Sequence, residues 1–315
     1  NAMREDRLTR PKRNTLLASM TDEVAELVLR NNYLQTLAIS IAEAEAISGV
    51  GELNRVMSNL EGRGLLNRKV EYLPDDSAVA ERVAAGHALT RPEMGVLLSY
   101  AKLVLFDEIV ASSLPDDPYF DATLRSYFPK KMQKTYSTDI ASHRLRREII
   151  STLLGNDAIN RGGPAFVISM GDKSGAPAAD IVKAFVLARD GLSLNQLYAQ
   201  VDDLDTKVSG AVQNQLYASI GNTLKDVTGW ALKTAAAQGD LDAAVKTMQQ
   251  GLGKLASTMS AAMPDFMRQE ADETREALIA QSVPADLANQ IAGLTGLTLA
   301  PDICHVAAYS KTDLG

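Results

Sequence analysis

Residues 90–120 read Thr-Arg-Pro-Glu-Met-Gly-Val-Leu-Leu-Ser-Tyr-Ala-Lys-Leu-Val-Leu-Phe-Asp-Glu-Ile-Val-Ala-Ser-Ser-Leu-Pro-Asp-Asp-Pro-Tyr-Phe. Their spacing decides the fold class. Thr90 and Glu93 form the two halves of a capping box, and Pro92 falls in the first turn, where a missing N–H costs nothing. Met94, Leu97, Leu98, Ala101, Val104, Leu105, Ile109 and Val110 recur at the 3–4 spacing of one helix face. Val96, Leu103 and Phe106 widen that face to leave a narrow polar stripe. Pro115 and Pro118 end the helix and start the next segment. A helix of this kind, roughly 35 Å long at 1.5 Å per residue, must be wrapped by other helices on most sides.

The flanking sequence carries the same signature. Thr21-Asp22 start a helix with Val24, Leu27 and Val28 on its apolar face, and a second helical stretch, Tyr33 to Ile47, follows almost without a break. Gly49 and Gly51 predict a turn into Glu52–Leu60. Val70–Leu73 suits a short extended piece, and Asp75 to Ser77 cap a helix stopped by Gly86. Beyond Pro129 a long helix is expected from about Thr138 to Asn160. Gly162-Gly163-Pro164 breaks the chain, as does Gly171 to Pro177. Further helices are expected at Ala165–Met170, Ala178–Arg189, Leu194–Leu204 and Val208–Ala237, with four or five more before the C-terminus.

Strong period-2 alternation is absent throughout, and no repeat of 30–50 residues emerges. The prediction is an all-α, bundle-like, multi-helix protein without substantial sheet. Its expected division is a linker over 1–13, a helical subdomain over 14–163 and a second over 164–315. Asn1-Ala2 ahead of Met3 is what a cleaved expression tag leaves behind, so a piece of a longer protein is expected.

Composition narrows the function classes. Of the 315 residues, 46% are hydrophobic and 23% charged, which excludes wholesale disorder. A single cysteine, Cys304, excludes a disulfide framework and a multi-cysteine zinc site and suits a reducing cytoplasm. No apolar run reaches the ~18 residues of a membrane span. The net charge of −7 argues against nucleic acid as the main partner. Basic residues nonetheless gather at 125–148, seven against Asp139 and Glu148.

Each candidate for chemistry meets a plainer reading. Gly49-Val-Gly-Glu-Leu-Asn54 lacks the third glycine and the preceding strand of a dinucleotide fingerprint, so a helix–helix turn is favoured. Gly171-Asp-Lys-Ser-Gly175 faintly resembles a nucleophilic serine loop, but His87, His143 and His305 are placed by no motif to serve as base. Asp117 reads as a helix cap, and Asp202-Asp203 as a solvated helix end. Lone Trp230 reads as core. The strongest surface signal is His143-Arg-Leu-Arg-Arg147. On one continuous helix Arg144 and Arg147 share a side, with Arg146 beside them. These three are the candidate anion or partner contact, against the alternative of an ordinary charged face. No catalytic, cofactor-binding or metal-ligating constellation is found.

The string Leu89 to Phe120 resembles the C-terminal helical region of the large bacterial NAD-specific glutamate dehydrogenases. Asn14 to Ala25 and Leu27 to Thr36 resemble the segment following the catalytic domain there. Tyr127-Phe-Pro129, His143 to Ile150, Asn160-Arg161, Gly163 to Val167 and Ala178 to Asp190 occur in the same order. The match is strong over about 14–190 and weak from about 210. Gly95 stands where the family leads one to expect alanine, which suggests a tight helix crossing.

The resemblance implies a parent enzyme, multimeric and cytoplasmic, that oxidises L-glutamate with NAD to 2-oxoglutarate and ammonia. Its catalytic and nucleotide-binding motifs would lie upstream of this region. The chain itself is then expected to be an inactive assembly or regulatory domain, with the catalytic domain and neighbouring subunits as partners. The opposing reading is an independent interaction or anionic-effector module built on the Arg144/Arg147 face.

Overall fold

The protein is described by a computed structural model covering residues 5, 7–255 and 263–303. Cys304 and His305 lie outside the described residues. The chain is all-α, with no strand among those residues.

The elements in order are α1 (Arg10–Ala18), α2 (Thr21–Ala44), α3 (Ala46–Gly62), α4 (Asp76–Ala84) and α5 (Arg91–Ala111). Two 3-10 turns, Leu114–Asp116 and Pro118–Phe120, lead into α6 (Asp121–Ser126), α7 (Lys130–Thr135) and α8 (Ser137–Ala141). Then come α9 (Arg146–Gly162), α10 (Phe166–Ser174), α11 (Ala178–Gly191), α12 (Leu194–Asp202) and α13 (Gly210–Lys233). The last are α14 (Leu241–Leu255), α15 (Asp265–Ala280), α16 (Ala285–Ala292) and α17 (Leu294–Leu297).

Helix α5 forms as its sequence predicts. The capping box is present, and the Thr90 amide donates to Glu93 Oε2 at 2.7 Å. Burial pushes the Glu93 carboxyl up, but hydrogen bonds from Arg82 and from Thr90 outweigh it and hold the pKa below the usual value. Met94, Leu97, Leu98, Ala101, Leu105 and Ile109 are buried. Met94 and Leu97 join a smaller core with α3 and α4, whereas Leu98, Ala101, Leu105 and Ile109 join the larger one. The helix therefore couples two cores.

It is narrower in its burial than expected, because Leu103 is 63% exposed. The most enclosed helix is instead α11, where Ile181, Val182 and Ala184 to Ala188 are all essentially inaccessible. It lies between α13 and α14. Gly191 ends α11 where an added Cβ would overlap Met248 of α14, so this is the close crossing. Gly95 is not one: a Cβ there would meet Ile39 Cδ1 at an ordinary 3.7 Å. The larger core draws side chains from both sides of the Gly162–Pro164 break. Gly163 makes that break with φ of +89°, which favours glycine.

Several local expectations change. α2 is one helix from Thr21 to Ala44, without a break before Tyr33. Gly49 and Gly51 lie inside α3, which starts at Ala46, so the turn falls near Glu45. α1 begins at Arg10, inside the stretch read as a linker. Residues 70–72 form turns rather than an extended piece, with Tyr72 at φ of +54°. The long helix expected from Thr138 is two helices, interrupted at 142–145.

Candidate functional site

That interruption decides what the arginine cluster does. α9 starts at Arg146, so Arg144 and Arg147 do not share one face of a continuous helix. Arg147 reaches back to the end of α5, where carbonyls lack intrahelical partners. Its Nη2 donates to Val110 O at 2.9 Å and to Ser112 O at 2.6 Å, and its Nη1 pairs with Asp116. Arg146 donates to Pro115 O at 2.5 Å and to Asp121 Oδ1 at 2.7 Å. These two guanidiniums clamp the α5 terminus and the 3-10 turns behind it. Arg144 is exposed and makes no ion pair among the described residues.

A second set of charges lies deeper. The Tyr119 hydroxyl donates to Asp190 Oδ2 at 2.8 Å, and Arg189 donates to both Asp190 oxygens at 2.7 Å. Arg189 also pairs with Asp157 of α9. Burial opposes the Arg189 charge, but Asp157 and Asp190 outweigh it and raise its pKa, so the guanidinium stays charged. One turn beyond Asp157, the Arg161 guanidinium lies 3.8 Å from the centre of the Tyr198 ring. Tyr198 stacks on Tyr217 with centroids 6.3 Å apart. Tyr217 donates to Asp202, which also takes Arg30 from α2.

Arginines, carboxylates and tyrosine rings thus run from Tyr119 through the core to α2. Burial pushes the Tyr119 and Tyr198 hydroxyls well above the normal phenol pKa, as do burial and Asp202 for Tyr217, so all three stay protonated at neutral pH. Phenols held in this way keep elements in register. Asp202 is therefore not the solvated helix end expected of it, with only 11% of its side chain exposed. The hint in the sequence is the i, i+4 pair Asp157/Arg161 on α9. Nothing local marks Arg30 or Asp202 as partners 172 positions apart.

Near this framework, a cavity of about 70 Å³ lies between α2, α3, α13 and the Asn160–Ala165 turn. Asn160 Oδ1 and Arg161 Nε, from lining residues, are buried without a hydrogen bond among the described residues. By volume the cavity could take a few waters.

The remaining candidates have structural partners. Gly171 to Ser174 are the last turn of α10 rather than the expected break; Ser174 donates to Met170 O at 2.6 Å, and Gly175, at φ of +70°, closes the helix by donating to Gly171 O at 2.7 Å. Asp117 caps the 3-10 turn by accepting from Tyr119 N at 3.0 Å. Trp230 packs against the larger core and donates to Asp302 at 2.7 Å. Among the described residues no cluster of His, Cys, Asp or Glu could hold a metal, and no helix is long and apolar enough to cross a membrane. Lys102 stands apart: its Nζ is buried with no partner among the described residues, and burial pushes its pKa down to about 8.

Fold and charges together define an all-helical domain knit by internal arginine–carboxylate pairs. Residues 86–315 match the family model described as glutamate dehydrogenase, C-terminal, and residues 1–42 match that of the bacterial NAD-glutamate dehydrogenase catalytic domain. The chain belongs to the glutamate dehydrogenase C-terminal family. It is 36% identical over 300 residues to the NAD-specific glutamate dehydrogenase of Halomonas elongata, covering 95% of this chain and 18% of that protein. The Pseudomonas aeruginosa enzyme of the same name is 35% identical over 94% of this chain and 18% of its own length. The Mycobacterium tuberculosis enzyme is 28% identical over 91% and 17%. The chain thus spans about a fifth of the length of the relatives it matches.

These matches correct two readings. The C-terminal family match extends to residue 315, past the point at about 210 where the sequence resemblance is weak, and residues 14–36 fall within the catalytic-domain match rather than after it.

Proposed function

We propose that this chain is the C-terminal accessory domain of an NAD-specific glutamate dehydrogenase, serving assembly and regulation. The full-length polypeptide would oxidatively deaminate L-glutamate to 2-oxoglutarate and ammonia in the cytoplasm, with NAD bound by its upstream catalytic domain. The chain alone would be inactive. Its partners would be that catalytic domain and neighbouring subunits of the same enzyme.

The observation that supports this reading most is the pairing of two matches on one short chain. The catalytic-domain model ends at residue 42 and the C-terminal model starts at 86, within a segment covering 18% of its relatives. The internal charge pairs also fit a supporting role, because Arg146, Arg147 and Arg189 all hold other elements of the domain.

The test is a glutamate-dependent NADH assay on the full-length polypeptide and on the 315-residue chain at equal molarity. Turnover is expected from the first and not from the second. Turnover by the short chain alone would overturn the proposal. A second reading, capture of an anionic effector or acidic partner, rests on exposed Arg144. If Arg144→Ala leaves the full enzyme's kinetics, effector response and subunit mass unchanged, that reading fails.

A further inference from the structure

The first half of α2 is largely uncovered by the described residues. From Thr21 to Asn32 every residue except Glu23 is exposed, whereas the second half of α2 packs on α5, α9 and α13. Val24, Leu27 and Val28 are 44%, 44% and 55% exposed, and at i, i+3 and i+4 they form one aliphatic stripe. Leu17, on the preceding helix, is 50% exposed as well. Scattered apolar side chains on a surface need no explanation, but a contiguous stripe on one helix marks a contact.

This stripe is held in place. Met20, at the α1–α2 elbow, is buried. The Lys130 amide donates to Glu23 Oε1 at 2.9 Å, and Lys131 Nζ donates to Ser19 O at 2.9 Å. Two turns further on, Arg30 pairs with Asp202. The helix is anchored at both ends of the stripe without covering it.

The family match suggests which surface could cover it. The stripe falls within residues 1–42, the part matching the catalytic domain, whereas the domain it projects from matches the C-terminal family. Most of the relatives' length is outside this chain. We infer that Val24, Leu27 and Val28 dock against an aliphatic surface of the catalytic domain of the same polypeptide. α2 is then a strut shared by two domains: its first half completes the catalytic domain, and its second half is built into the C-terminal one. The inference rests on the proposed function, since it needs that upstream domain.

Hydrogen–deuterium exchange over 21–32 tests it, measured in the full-length polypeptide and in the 315-residue chain. At least tenfold slower exchange is expected in the full-length protein. The double variant Leu27→Asp, Val28→Asp should lower full-length glutamate turnover at least tenfold at assay temperature, while the variant short chain melts as the parent does. Equal exchange in both contexts, with full-length turnover unaffected by the variant, would overturn the inference. So would a short chain that dimerises at micromolar concentration and becomes monomeric in the variant, since the occupant would then be a second copy. A full-length protein with protected 21–32 but no glutamate turnover would sink the activity reading and leave the docking standing. Full turnover with unprotected 21–32 would do the reverse.

Discussion

α2 and α5 are both long helices with abundant aliphatic side chains, yet they are buried very differently. α5 buries six side chains, and α2 buries Ala38 alone. α5 is wrapped by α2, α3, α9 and α11, and its C-terminus is clamped by Arg147. The first half of α2 has an apolar stripe of the same periodicity that no described residue covers. The difference lies in whether the facing surface belongs to the chain at hand, which helical spacing does not encode.

The comparison breaks first if the two stripes respond alike to truncation. Leu105→Ala, at 2% exposure, should destabilise the chain by about 2–5 kcal/mol, through lost burial and the cavity left behind. Leu27→Ala should change it by less than about 0.5 kcal/mol, as exposed sites do. Chemical denaturation of both variants checks this.

The same contrast shows what was legible in the sequence. The α5 capping box, its buried face and the all-helical class follow from local spacing, and the structure keeps them. Leu103 is exposed, and α11 rather than α5 is the most enclosed helix, because an apolar side chain on a helix says nothing about how many neighbours surround it. Ser142 to Leu145 broke an expected long helix and with it the shared face of Arg144 and Arg147. The Arg189–Asp157 and Arg30–Asp202 pairs were invisible, since long-range charge pairing leaves no periodic trace.

The arginines sharpen the comparison at the α5 terminus. Arg147→Ala should cost about 1–3 kcal/mol, because it strips donors from the carbonyls of Val110 and Ser112. Arg144→Ala should stay within about 0.5 kcal/mol. Thermal unfolding of the pair separates clamp from surface. At the other end of α5, Thr90→Ala removes half of the capping box and should cost about 1 kcal/mol in the same measurement.

Lys102 gives a pH-dependent effect. Its folded-state pKa of about 8 lies below the ordinary 10.5, so the unfolded chain holds the extra proton between those values. The cost of the buried charge is full below about pH 8 and fades as the pH rises toward 10.5. Lys102→Met should therefore raise the melting temperature at pH 7, with the gain shrinking by pH 10. A gain is expected at one site: Gly95→Ala places a Cβ in ordinary contact with Ile39 and should add about 0.5–1 kcal/mol.

The most direct measurement puts Leu27→Ala and Leu105→Ala into both the 315-residue chain and the full-length polypeptide and follows thermal unfolding. Leu105→Ala should lower the melting temperature in both contexts, and Leu27→Ala only in the full-length protein. Equal loss from Leu27→Ala in the short chain, or no loss from it in either, would contradict an α2 whose first half is completed by the catalytic domain.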